Sequence, residues 1–117
     1  MKPHQKLNAW ADSFELVKEL YAVTKMLPPE EKFGLVSQIR RAAVSVPVNI
    51  AEGAARKSPK QFAWFLYVSL GSLTELDTLI LLCGTLEFVS RKECDRLVEK
   101  MDIIGKMIYG LIKSLER

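Results

Sequence analysis

With 117 residues, 49% of them apolar, the chain is long and hydrophobic enough for one domain with a real core, and its composition excludes a disordered segment. A formal charge of +3 gives only a slight bias toward acidic partners. Two cysteines and one histidine cannot furnish the three or four soft or nitrogen ligands of a structural metal site, so Cys83 and Cys94 are read as free thiols of a reducing cytoplasm.

The opening "MKPHQKLNAW" lacks the apolar segment of a signal peptide, and residues 1–7 are expected to be loose. A first helix is predicted from Asn8 to Met26. Leu7, Trp10, Phe14, Val17, Tyr21 and Thr24 recur at helical steps, with a second stripe of Leu16, Leu20, Val23 and Leu27 beside them. Pro28 and Pro29 stop it.

The second helix is predicted to begin at Glu30 or Glu31, where acids suit the helix dipole. Its apolar face reads Phe33, Val36, Ile39, Ala43, Val46 and Ile50, and Gly53 with "RKSP" marks its end. Pro47 lacks an N–H and crowds the Ala43 carbonyl. Because the apolar spacing continues from Val46 to Ile50, a kinked continuous helix is expected rather than two.

The third helix starts at Ser58 as N-cap, with Pro59 in the first position and Gln61 completing a capping box. No lysine or arginine occurs from Phe62 to Ser90. "FAWFLYVSLGSLTELDTLILLC" could span a bilayer by length, but Glu75 and Asp77 interrupt it, so it is read as a core helix of a non-membrane protein. Being apolar nearly all round, it is either central or covered by another subunit.

Ser90 and Glu93 form a second capping box. Leu97, Met101, Ile104, Ile108, Leu111 and Leu115 then make a seam for antiparallel packing. Gly105 and Gly110 either admit a neighbouring helix or are tolerated weak points. No long alternation of period two and no hairpin signal is present. The expected fold is therefore all-α: a single domain over residues 1–117, an antiparallel up-down-up-down four-helix bundle with a proline-kinked second helix.

Two groups of polar residues stand out on this frame. Gln38, Arg41, Ser45, Asn49, Glu52 and Arg56 fall on one face of the second helix, a pattern expected to fix helix register or a subunit contact. Glu52 is placed to reach Arg56 or, across helices, Ser72. Arg40, Arg41, Arg56, Lys57 and Lys60 face one acid, Glu52, between Ser37 and Gln61; Arg40, Arg56, Lys57 and Lys60 are the candidates for phosphate contact. Trp64 and Phe65 have faces on which bases could stack, but their helical spacing predicts core packing.

Constellations for catalysis are missing. There is no Glu-x-x-His pair for a di-metal bundle site, no base beside a serine or cysteine nucleophile, and no glycine-rich phosphate loop. No catalytic residue, metal or cofactor is assigned, and an enzyme is not expected.

"LPPEEKFGLVSQIRRAAVSVPVNIAEGAARKS", followed by "FLYVSLGSLTEL" and "IGKMIYGLIKSL", resembles the four-helix-bundle proteins encoded in intervening sequences of bacterial 23S ribosomal RNA genes. The accessory variability proteins of diversity-generating retroelements share that fold family. The likeness runs from about Trp10 to Leu115. It implies a ring-shaped homo-oligomer, a homopentamer, and for the retroelement relatives binding of nucleic acid and a reverse transcriptase through a basic surface. Arg41, Ser45, Asn49, Glu52 and Gly53 match the family's polar positions and carry over as structural or interface residues. The expected function is a non-enzymatic cytoplasmic scaffold that binds RNA or DNA, beside a reverse transcriptase in that branch. The alternative is a protein-binding adaptor without nucleic-acid affinity.

Overall fold

The computed structural model describes residues 1–116. Among them the chain forms four long helices and no strand: α1 (Asn8–Thr24), α2 (Leu35–Ala54), α3 (Pro59–Thr85) and α4 (Arg91–Leu115). They build a rod of 44 × 22 × 22 Å, and α3, at about 1.5 Å per residue, nearly sets its length.

The helix limits follow from local chemistry. Ser58 Oγ accepts from the Gln61 amide at 3.3 Å and Ser90 Oγ from the Glu93 amide at 3.2 Å, satisfying donors that an open helix start would leave bare. The Glu93 carboxylate does not close its capping box; it pairs with Arg96. At its other end α3 finishes in a Schellman turn. The Phe88 amide returns to the Cys83 carbonyl at 2.9 Å and the Glu87 amide to Gly84 at 3.1 Å. Glu87 takes φ 63°, a left-handed conformation in which glycine is usual.

The second helix starts later than expected. Pro29–Glu31 form a 3-10 turn, and α2 begins only after Gly34. Phe33 therefore precedes the helix instead of joining its apolar face, and is 89% exposed beneath the Lys32 ammonium. Pro3–Lys6 form a 3-10 turn against α1 and α2, with His4 edge-on to Trp10 at 5.0 Å.

A single apolar cluster fills the interior, with Leu20, Ile39, Ile50, Leu66, Leu76 and Ile108 among its fully buried members. On α1 the second predicted stripe faces inward, while Phe14 and Tyr21 of the first lie outside. On α4 the seam drifts: Ile112 is fully buried whereas Leu111 and Leu115 only flank the core. A helix of 3.6 residues per turn cannot keep a seven-residue stripe in line without supercoiling.

Helix α2 runs unbroken through a buried Pro47. Along α2 and α3 the cross-helix pairs step in opposite senses: Arg41 with Glu75, Ser45 with Ser72, Val46 with Ser69, and Gly53 against Phe62 and Phe65. A Cβ on Gly53 would lie 2.8 Å from both Phe62 Cδ1 and Phe65 Cβ, so the glycine is what lets the two helices meet so closely. Gly105 serves α4 more mildly, with Leu73 3.4 Å from its absent Cβ, while Gly110 meets nothing. Glu19 of α1 holds Arg96 at 2.6 Å and Lys100 at 2.8 Å on α4. Both thiols are buried and free, and burial pushes that of Cys83 up to about 11, which keeps it protonated and unreactive.

Candidate nucleic-acid interface

The polar stripe of α2 divides into a bonded centre and free ends. Asn49 Nδ2 donates to the Ser45 carbonyl at 2.8 Å and to Ser45 Oγ at 2.9 Å, and Ser45 Oγ shares a 2.8 Å hydrogen bond with Ser72 Oγ on α3. Arg41 adds a 3.2 Å ion pair to Glu75, an exposed contact that contributes little energy. This arrangement sets the register of two helices and leaves no acid or base aimed into a cleft. Gln38 and Glu52 are exposed outside it. Glu52 reaches neither Arg56 nor Ser72: the Arg56 guanidinium lies instead over the Phe65 ring, 4.8 Å from its centroid. That placement follows from Gly53, which brings Phe65 close under the end of α2.

The four candidate phosphate contacts also divide. Arg56 and Lys57 stand exposed in the α2–α3 connection and Lys60 in the first turn of α3. Arg40 is more than about 20 Å away along α2. Its Nε donates to Thr24 Oγ1 at 2.9 Å, its Nη2 to the Tyr21 carbonyl at 3.3 Å, and its guanidinium covers the Tyr21 ring at 4.3 Å. Arg40 thus ties down the last turn of α1, where a cation favours the helix dipole.

Other groups join the cluster around Arg56 that its position in the chain did not reveal. Trp64, predicted to pack in the core, is 62% exposed, because Ala63 and Leu66 take the inward positions of that turn. Its ring stands perpendicular to Phe65 with centroids 5.0 Å apart. Hollows open on either side of it. One of about 300 Å³ is lined by Arg56, Gln61, Trp64 and Phe65. The other, of about 870 Å³, runs past Lys60 and Tyr67 to Leu115 and Glu116 at the end of α4. Tyr67 is half exposed and its hydroxyl donates to Glu116 Oε2 at 3.4 Å. Loss of hydration, and then the Glu116 carboxylate, raise the phenol above its ordinary pKa. Nearby Lys113 sits over the Tyr109 ring at 5.3 Å.

A separate groove of about 750 Å³ lies between α3 and α4, with Leu73 and Met101 among its lining and Asp77, Asp102 and Lys106 among its polar groups. No set of three histidine, cysteine or acidic side chains able to hold a metal ion occurs among the described residues.

Fold and surface together define a small four-helix protein in which side-chain hydrogen bonds tie α2 to α3 and one group of exposed cations, Arg56, Lys57 and Lys60, stands beside the exposed Trp64 at the α2–α3 turn. Residues 5–110 match the model of the 23S rRNA-intervening sequence proteins, and the chain belongs to that family. Its fold is similar to the crystal structure of a protein of unknown function from the S23 ribosomal protein family of Bacteroides thetaiotaomicron VPI-5482. The TM-score is 0.83 at 24% identity, over 90% of this chain and 98% of that one. No curated protein matches the chain.

Proposed function

We propose that this protein is a non-enzymatic cytoplasmic scaffold that assembles with copies of itself and binds RNA or DNA through the α2–α3 turn. The observation that carries the reading is the cation cluster. Arg56, Lys57 and Lys60 are exposed within a few residues of one another, and none is in an ion pair among the described residues. Cations left unpaired on one end of a rod are available to phosphates.

The proposed architecture is an up-down-up-down bundle with a bend at Pro47, supported by the opposite stepping of the cross-helix pairs. Its proposed assembly is a ring-shaped homopentamer. Supporting self-association, the outer face of α3 beyond Tyr67 carries Gly71, Thr74, Thr78, Leu81 and Leu82 without a charge, and both leucines are more than 40% exposed. A ring would repeat the cation cluster once per subunit and multiply its effect. A reverse transcriptase is the proposed protein partner where one is encoded nearby.

Fluorescence anisotropy with a labelled oligonucleotide tests the reading. Affinity is expected to fall steeply between about 50 and 200 mM salt. The triple reversal Arg56→Glu, Lys57→Glu, Lys60→Glu is expected to abolish most binding and flatten the salt slope. Binding indifferent to both salt and reversal would remove the proposal. Light scattering after size exclusion counts the subunits.

A second reading is a protein-binding adaptor without nucleic-acid affinity. It is favoured by Met26, Phe33 and Leu86, large apolar side chains left exposed at the α1–α2 and α3–α4 connections. Nuclease-resistant capture of one protein, with no oligonucleotide binding, would select it.

A further inference from the structure

Resting on the nucleic-acid reading above, we infer that the preferred ligand is single-stranded, with an unpaired base stacked on Trp64 and its phosphates on Lys60, Lys57 and Arg56. The inference stands on what lies next to the cations. Lys60, Trp64 and Tyr67 occur at i, i+4 and i+7, so they form one row on the outer face of α3, about 10 Å long. An indole that is 62% exposed forfeits much of the stabilisation its burial would give, and here it projects between two hollows. Phe65 supports it from below and also carries the Arg56 guanidinium, so one ring positions both the stacking platform and a phosphate contact.

The charges set an orientation. Arg56, Lys57 and Lys60 lie on the α2–α3 side of Trp64 without an acid partner, while on the other side, beside Tyr67, the Lys113 cation is offset by Glu116. A strand crossing this surface keeps its phosphates toward the turn and away from Glu116, which leaves its bases over Trp64 and Tyr67. A duplex cannot use that geometry, because its base faces are occupied by neighbouring pairs and only groove edges and phosphates are presented. Sequence preference is expected to be weak, since every base has a face to stack.

Trp10 is the other tryptophan, so the full chain carrying Trp10→Phe makes Trp64 the sole indole reporter. This protein is titrated with a fifteen-residue oligo-thymidine, an oligo-uridine of equal length, and a DNA duplex of equal length at low salt. Single strands are expected to bind more tightly than the duplex and to quench the Trp64 emission. Trp64→Ala is expected to weaken single-strand binding about tenfold while leaving duplex binding unchanged, and Trp64→Phe to retain most of the affinity. Circular dichroism confirms that these surface variants keep their helices. Equal affinity for strand and duplex, without quenching and without loss in Trp64→Ala, overturns the stacking inference and leaves phosphate binding standing. Absence of binding to all three probes overturns the underlying reading as well. A Trp64 already shielded from acrylamide in the free protein also overturns the inference, since another copy of the chain then covers it.

Discussion

The hydroxyl of Ser69, fully buried on α3, donates to the Val46 carbonyl on α2 at 2.9 Å, one residue before Pro47. The carbonyl that Pro47 leaves without its helical donor is that of Ala43; Ser69 instead gives a second donor to the Val46 carbonyl and so ties α3 to α2 beside the proline. Ser69→Ala is expected to destabilise the fold by about 1 kcal/mol, the net worth of one buried hydrogen bond, since the Val46 carbonyl keeps its helical partner. Urea denaturation measures it; an unchanged midpoint would show that the bond carries no net stability.

Gly53 and Gly110 make an internal control for helix packing. Gly53→Ala places a methyl 2.8 Å from Phe62 and Phe65 and is expected to cost about 1–3 kcal/mol. Gly110→Ala adds its methyl to open space and is expected to gain up to about 1 kcal/mol of helix propensity. Thermal melts of the two variants should move in opposite directions.

Glu87 holds a left-handed conformation at the C-terminus of α3. Replacement by glycine removes the clash of Cβ with the backbone, and Glu87→Gly is expected to stabilise the protein by about 1 kcal/mol. A lowered melting temperature would contradict this account of the turn.

Arg40 separates stability from binding. Arg40→Ala removes two hydrogen bonds and a cation–π contact at the end of α1, a loss of about 1–2 kcal/mol. Oligonucleotide affinity should not change, because this residue stands apart from the cation cluster. A loss of affinity comparable to that of Lys60→Ala would return Arg40 to the binding surface.

Acid should loosen the contact between α1 and α4. Desolvation alone would raise the pKa of Glu19, but hydrogen bonds and charge from Lys100 and Arg96 outweigh it and hold the carboxyl below its ordinary value. Glu93 is likewise lowered, chiefly by its hydrogen bond to Arg96. A depressed folded-state pKa means that this stabilisation is complete above the unfolded value, about 4.3. It is lost as the pH falls through the folded value. Urea midpoints measured from pH 6 downward should drop less steeply for Glu19→Gln than for the parent chain.

The helices were legible because their signals are local. Ser58 and Ser90 take the N-cap positions that the sequence predicts, though neither Gln61 nor Glu93 closes the reciprocal half of its capping box, and Ile39, Val46 and Ile50 face inward at the expected spacing. Phe33 lies off the apolar face that its spacing predicts because a 3-10 turn and Gly34 shift the start of α2 by about a turn, a choice that a proline pair does not specify. Trp64 departs from its predicted core position for another reason. On a helix apolar all round, periodicity cannot say which side meets the neighbours, and only the packing of α2 and α4 decides it. The same limit hid the role of Gly53, whose meaning depends on two phenylalanines brought close from another helix. The polar stripe was visible in the sequence, but its division into a bonded Ser45–Asn49–Ser72 centre and a free Glu52 required the structure.

Each helix packs chiefly on the one before or after it in the chain, and α1 meets α4 over the shortest stretch of any long neighbouring pair. The α1–α4 seam is therefore the lightest latch of the bundle, a short apolar contact with the Glu19–Arg96 and Glu19–Lys100 ion pairs across it, and α1 is the first panel it holds. Amide hydrogens along α1 should exchange with deuterium sooner than those in the middle of α2 and α3, because unlatching exposes the first panel while the α2–α3 hairpin stays shut.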